Sequence, residues 1–306
     1  MVNRQLNVAV IGAALMGHAI AQVFASAGHQ TTLTDSDDET LASAPAHIEH
    51  NLNQMGIEAA PVLSHLRLND SLVDAVKDAA IVIEAVPERL DLKQRLFAIV
   101  AEAAPATAVL ASNTSVIPIT DIGAQLPPSA RARVLGTHWW NPPHLVPLVE
   151  VIRTPFTAPE VFDDTFDLLE RVGKRPVKAQ RDITGFIGNR LQHALWREAF
   201  FLVQSGVCDA QTIDTVVKQS FGLRSPVLGP MENADLVGLE LVQAIHDLIF
   251  PTLDCATTAS PLLAGCIEAG HTGMKQGEGL RKWTPEQAER VRSTLALHLI
   301  SATRTA

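Results

Sequence analysis

Cysteine is scarce in this chain: three among 306 residues, Cys208, Cys255 and Cys266, all in the C-terminal half and none in a C-x-x-C pair. That weighs against a disulfide-stapled scaffold, and the three read as reduced thiols of a cytosolic protein. No apolar run is long enough to span a bilayer, so no membrane partner is expected. The chain is strand-like from Asn7 onward, which leaves no room for a secretory leader and sets a cytoplasmic expectation. Positive charge is also in short supply. With 24 Lys and Arg against 33 Asp and Glu the net charge is −9, which argues against nucleic acid as a partner but leaves a small anionic substrate open. There are no repeats and no low-complexity tracts. A content of 47% apolar and 19% charged residues suits a compact globular protein.

What is present begins at Asn7-Val-Ala-Val-Ile-Gly-Ala-Ala-Leu-Met-Gly17. An apolar strand runs into a glycine turn, the turn opens a helix from His18 to Ala27, and a second strand ends on Asp35. This is the order of the dinucleotide-binding fingerprint. Gly12 permits the tight turn and Gly17 lets helix and strand pack closely. Backbone N–H groups around Ala14, Leu15 and Met16 face the cofactor phosphates at the helix start. Ala14 stands where the pattern has its middle glycine, adding a methyl group where the pyrophosphate approaches. A carboxylate at Asp35 accepts from both ribose hydroxyls and repels a 2′-phosphate, and no Arg stands nearby, so NAD is expected over NADP. Asp35 can also be read as a helix N-cap, a role open equally to Ser36 or Asp37.

Up to about residue 182 strand-like runs alternate with helical ones: Asn7–Ile11, Gln30–Thr34, Ala80–Glu84, Ala108–Ala111, Arg133–Thr137, Val146–Ile152 and Pro176–Ala179, with helices such as Leu90–Ala104 and Pro159–Val172 between them. The expectation is an α/β fold: a Rossmann-type doubly wound sheet. After Gly185 only helical periodicity remains, over Ile187–Gly206, Ala210–Phe221, Met231–Leu248, Pro261–Ala269 and Pro285–Ile300, with Asp209 and Thr284 as caps. The predicted organisation is a cofactor domain over residues 1–183 and an all-helical C-terminal domain over 184–306, the latter serving substrate binding and homodimerisation.

His138 ends the run Gly136-Thr-His138, and strand carboxyl ends are where doubly wound sheets bind ligands. Hydride transfer from an alcohol needs a base for the hydroxyl proton, and His titrates in the right range. Glu150 could orient and charge-stabilise the imidazole. Either residue could equally be structural. Trp139, Trp140 and Trp196 either line an apolar pocket or belong to the core.

Several motifs in order resemble the 3-hydroxyacyl-CoA dehydrogenase family over nearly the whole chain. They are the fingerprint, Glu84-Ala-Val-Pro-Glu88, Ala111-Ser-Asn-Thr-Ser115, His138-Trp-Trp-Asn-Pro142, Gly185-Phe-Ile-Gly-Asn-Arg-Leu191, Gly229-Pro230 and Gly273-Met-Lys-Gln-Gly-Glu-Gly279. The resemblance implies an NAD-dependent dehydrogenase with His138 as general base and Glu150 as its partner. It implies that Ser115 and Asn189 hold the substrate oxygen and the His, and that Asn141 helps place the substrate. Glu88 matches the acidic residue beside the nicotinamide, and Ser112 and Asn113 lie along the cofactor. No metal is expected.

The substrate is where the chain departs from that pattern. Acyl-CoA members carry a long basic hairpin after the second strand. Here Ser36–Val76 is shorter and holds one basic residue, Arg67, against Asp37, Asp38, Glu39, Glu49, Glu58, Asp70 and Asp74. A polyanionic CoA tail meets repulsion there. The segments Glu84–Gln94 and Gly188–Ala194 resemble a free-acid branch that includes L-gulonate 3-dehydrogenase, lens lambda-crystallin and carnitine dehydrogenase. Arg224 is either the bidentate holder of a substrate carboxylate or a C-terminal helix charge. The Gly273–Gly279 segment instead resembles short-chain hydroxybutyryl-CoA members. The expected substrate is therefore a free 3-hydroxy acid, with a short-chain 3-hydroxyacyl-CoA as the alternative and a non-catalytic, crystallin-like binding protein as a second. An NADP-dependent 3-hydroxyisobutyrate-type enzyme would need a helical-domain lysine, and Gly185–Gly206 has none.

Overall fold

The computed structural model describes residues 5–304 and contains two compact units. One runs to Asn189 and takes in the chain again from Leu297; the other is Arg190–Ala296.

The first unit is built on eight strands: β1 (Asn7–Ile11), β2 (Gln30–Thr34), β3 (Leu66–Leu68), β4 (Ile81–Glu84), β5 (Val109–Ser112), β6 (Val134–Trp139), β7 (Leu148–Ile152) and β8 (Arg175–Ala179). They form one sheet in the order β3-β2-β1-β4-β5-β6-β7-β8. Its helices are α1 (Gly17–Ser26), α2 (Asp38–Met55), α3 (Ala59–Leu63), α4 (Leu72–Val76), α5 (Leu90–Ala103), α6 (Ile119–Ile122), α7 (Pro128–Arg131) and α8 (Pro159–Arg171). Alternate residues of β1 go to opposite faces: Val8 and Val10 join one buried cluster with Ile20 and Phe24, while Ala9 and Ile11 join another with Phe97 and Val100. Burial on both faces is why these strands read as unbroken apolar runs.

The first six strands are parallel, and β7 then runs antiparallel to β6. Residues 140–147, which join them, are too few for a crossover helix, so the chain must turn straight back. That reversal sets His138 directly opposite Glu150 in the ladder.

The second unit is helical: α9 (Gly188–Gln204, entering from the first unit), α10 (Ala210–Gln219), α11 (Phe221–Arg224), α12 (Pro230–Val237), α13 (Leu239–Ile249), α14 (Pro261–Glu268) and α15 (Pro285–Arg304), whose end returns to the first unit. Asp209 caps α10 by accepting from Thr212 N–H (2.7 Å), and Thr284 caps α15 by accepting from Gln287 N–H.

Two expectations need correction. The helix expected over Met231–Leu248 is two helices, because Gly238 adopts φ 99° and breaks the hydrogen-bonded run. The short strand β3 was not anticipated; its residues are half-buried or exposed at the sheet edge and give no apolar run. Of the two readings open for Trp139, the structure gives the core: it is buried and edge-on to Phe24.

Candidate functional site

The glycine turn fits a close-approaching cofactor. Gly12 has φ 98°, and a Cβ there would lie 2.7 Å from the Ala85 carbonyl oxygen; a Cβ on Gly17 would lie 1.5 Å from the Gly12 carbonyl oxygen. No other residue type is accommodated at either position. Ala14 adopts no positive φ and its side chain is exposed, so the departure from glycine costs no backbone strain. Leu15 is exposed and Met16 half-buried at the start of α1. Asp35 braces the turn: Ala13 N–H donates to Oδ2 (2.7 Å) and Asp37 N–H to Oδ1 (3.0 Å). Each carboxylate oxygen keeps a lone pair for a ribose hydroxyl.

Along the next strand ends a buried network supports the site. Glu84 is buried at the end of β4. Its Oε1 accepts from Lys93 Nζ (2.7 Å) and Val86 N–H, and its Oε2 from the Ser112 hydroxyl (2.6 Å). Lys93 also faces Glu88 Oε2 at 3.3 Å. Glu88 Oε1 accepts from the Thr114 hydroxyl (2.5 Å), Ser115 N–H (2.9 Å) and Val116 N–H (3.0 Å). Burial pulls Glu88 upward in pKa, but these donors and the Lys93 ammonium hold it below the usual carboxylate range. Ser112 thus turns its hydroxyl inward and shapes this edge from behind. Asn113 accepts from Trp139 N–H through Oδ1 (2.9 Å). Ser115 is exposed, and its carbonyl accepts from the Asn189 amide (2.9 Å), which brings these two predicted residues together.

The centre of the arrangement is the His138–Glu150 pair. His138 Nδ1 lies 2.7 Å from Glu150 Oε2, with the two side chains 4% and 1% exposed. Glu150 Oε1 accepts from Ile187 N–H (2.8 Å) and Gly188 N–H (3.0 Å). Burial again pulls the carboxyl upward, but the His138 hydrogen bond and the two main-chain donors outweigh it and hold Glu150 ionised. A carboxylate on Nδ1 assigns the proton to that nitrogen and leaves Nε2 as the basic one. This is the geometry of a general acid/base.

Asn141 is exposed in the turn after β6. Arg224 belongs to the other unit, where it is exposed at the end of α11.

Several residues escaped the sequence reading. Lys93 carried a signal: it occupies the same stripe of α5 as Phe97 and Val100, and a lysine at a core position needs a buried partner. Glu84 is its partner. His18 clamps the glycine turn by a 2.7 Å contact between Nδ1 and the Ala14 carbonyl. Lys174 is buried and donates to the Pro143 and Val146 carbonyls, holding the loop after His138.

Residues 7–183 match the NAD-binding domain of 3-hydroxyacyl-CoA dehydrogenase and residues 185–283 its C-terminal domain. The 5-formyl-3-hydroxy-2-methylpyridine 4-carboxylate 5-dehydrogenase of Mesorhizobium japonicum is 33% identical over 97% of both chains. A crystal structure of a dehydrogenase of that name, described as an NAD+-dependent dismutase, superposes with a TM-score of 0.90 at 32% identity, covering 99% of this chain and 98% of that one. The (S)-3-hydroxybutyryl-CoA dehydrogenase of Ralstonia eutropha superposes with a TM-score of 0.75 at 27% identity, covering 92% of this chain and 100% of that one. The chain belongs to the 3-hydroxyacyl-CoA dehydrogenase family and is an NAD-dependent dehydrogenase acting on a CH–OH group.

Proposed function

We propose that this protein reversibly oxidises the 3-hydroxyl of a small, CoA-free hydroxy acid, with His138 as general acid/base. The buried His138–Glu150 pair carries the reading. His138 Nε2 takes the hydroxyl proton, and Glu150 stabilises the imidazolium that results, as a buried acid orients a catalytic histidine elsewhere. In the reverse direction Nε2 returns that proton to the ketone oxygen. Bound NAD supplies the hydride acceptor. Gly12, Ala14, Leu15, Met16, Gly17 and Asp35 would hold its pyrophosphate and ribose; Glu88 would border the nicotinamide and Asn113 lie along the cofactor, with buried Ser112 supporting that edge through Glu84 and not as a direct contact. Ser115, Asn141 and Asn189 would position the substrate oxygen.

The substrate class is supported by the segment after β2. All seven carboxylates between Asp37 and Asp74 are exposed there, beside the single basic Arg67. The superposition with a dehydrogenase acting on a pyridine carboxylate supports the same class. The Gly273–Gly279 segment supports a second reading, a short-chain 3-hydroxyacyl-CoA. NADH formation with L-gulonate, carnitine, other 3-hydroxy acids and L-3-hydroxybutyryl-CoA tests the choice, with H138A as the blank. Turnover of a free acid is expected; turnover of the CoA ester alone would overturn it. H138A is expected to lose about 10²–10⁴-fold in kcat/KM.

Burial supports a homodimer formed by the helical domain. Among the described residues of the second unit Ala288 alone is buried, while Val227 is 88% and Leu248 78% exposed. A domain with so little core of its own needs a second copy to cover it. Light scattering should give twice the 32.9 kDa of one chain.

A further inference from the structure

The turn that leads into α9 has an unusual backbone. Phe186 is the one non-glycine residue with positive φ (48°) among the described residues, and it follows Gly185 at φ 76°. Residues with a Cβ rarely adopt this conformation. The Phe186 side chain is fully buried, with its ring centroid 5.5 Å from that of His138.

The next two N–H groups, of Ile187 and Gly188, converge on a single atom, Glu150 Oε1, at 2.8 and 3.0 Å. N–H groups at a helix start have no acceptor within the helix, so a carboxylate is their natural partner. The approach also depends on glycine at 188. A Cβ there would stand 2.4 Å from the Trp140 ring and 3.4 Å from Glu150 Oε2. With Oε1 occupied, only Oε2 faces His138 Nδ1.

We propose that the Phe186–Gly188 turn is a positioning element for the reaction: left-handed Phe186 aims two main-chain N–H groups at Glu150 and so sets the orientation and proton affinity of the His138–Glu150 pair. This rests on His138 being the acid/base. The ionisable group facing Glu150 is His138; the turn offers it only main-chain donors, flanked by the Phe186 and Trp140 rings. Removing one donor makes the carboxylate more basic and frees it to rotate. The pair then keeps its proton to higher pH, and alcohol oxidation, which needs Nε2 unprotonated, starts later on the pH scale.

The test replaces the amide by an ester at Ile187 or at Gly188 in the full chain, using the matching α-hydroxy acids. Every side chain stays in place while one N–H is lost. Proteins that still bind NADH are compared by the pH dependence of kcat/KM, with the substrate turned over in the screen above, and by the low-field proton resonance of His138 Nδ1–H, which needs no substrate. The expected result is an acid limb moved to higher pH, a shifted resonance and about a tenfold lower kcat near neutral pH. The β-branched F186I, which cannot take up a left-handed backbone without strain, should move the limb in the same direction as the esters. Ester proteins with the wild-type limb and resonance would overturn the proposal while leaving His138 as the base; a fully active H138A would overturn the reading beneath it.

Discussion

The two units of this chain solve burial in opposite ways. The α/β unit closes both faces of its sheet with its own helices and draws charged groups such as Glu84, Lys93, His138 and Glu150 into the interior in satisfied pairs. The helical unit hides almost nothing, although its helices carry apolar stripes as marked as those of the first. Amphipathicity therefore shows that a helix needs a partner, but not whether that partner lies in the same chain. In the first unit stability and chemistry are local properties of one chain. In the second, stability is expected to depend on protein concentration.

The comparison breaks hardest at Lys93. K93M leaves Glu84 as a buried, uncompensated carboxylate and should cost about 3–5 kcal/mol of stability at any protein concentration; chemical denaturation at two concentrations checks both points. The next effect is pH-dependent. Burial lowers His144 from its ordinary 6.5 to about 4. Between those values the unfolded chain binds a proton that the folded one does not, so stability falls as pH drops from 6.5 to about 4, by about 3 kcal/mol in all. H144L should flatten that part of a stability-versus-pH curve. For the helical unit, V227D combined with M231D should weaken self-association about a hundredfold, close to 2.7 kcal/mol, while His138 and Glu150 keep their hydrogen bond; sedentation equilibrium with a histidine NMR spectrum tests this. An unchanged dimer would remove the contrast between the units. The smallest effect is expected at Ala14. Its exposed methyl and unstrained backbone predict that A14G binds NADH at least as tightly as wild type, within a few-fold, as measured by fluorescence titration.

Much of the sheet was legible because strands buried on both faces leave continuous apolar runs, as in Val8–Ile11 and Ile81–Ile83. β3 was not, since a three-residue edge strand exposes most of its surface. The direction of β7 follows from the eight-residue connection, but its register, which sets Glu150 opposite His138, left no mark in the sequence. Within the site, Asp35 and His138 stood out through their places after strands. Lys93 was readable from its place on the apolar stripe of α5, but its partner Glu84 was not, because the pairing joins a strand end to a helix nine residues on. The left-handed Phe186 left no trace at all, since nothing in a phenylalanine marks positive φ.

The glycine turn, its helix and the carboxylate that follows are legible in local sequence: Gly17 packs against the Gly12 carbonyl within the turn itself, while the demand for glycine at 12 is completed by the Ala85 carbonyl of the neighbouring strand end. The acidic surface after β2 is equally a matter of composition. The acid/base pair is not. His138 and Glu150 meet because an eight-residue connection is too short for a crossover and forces β7 back along β6, and Glu150 keeps its charge because His138 and two N–H groups of a distant helix start donate to it. Those are contacts between segments far apart in the chain, and only the folded backbone brings them within hydrogen-bonding distance.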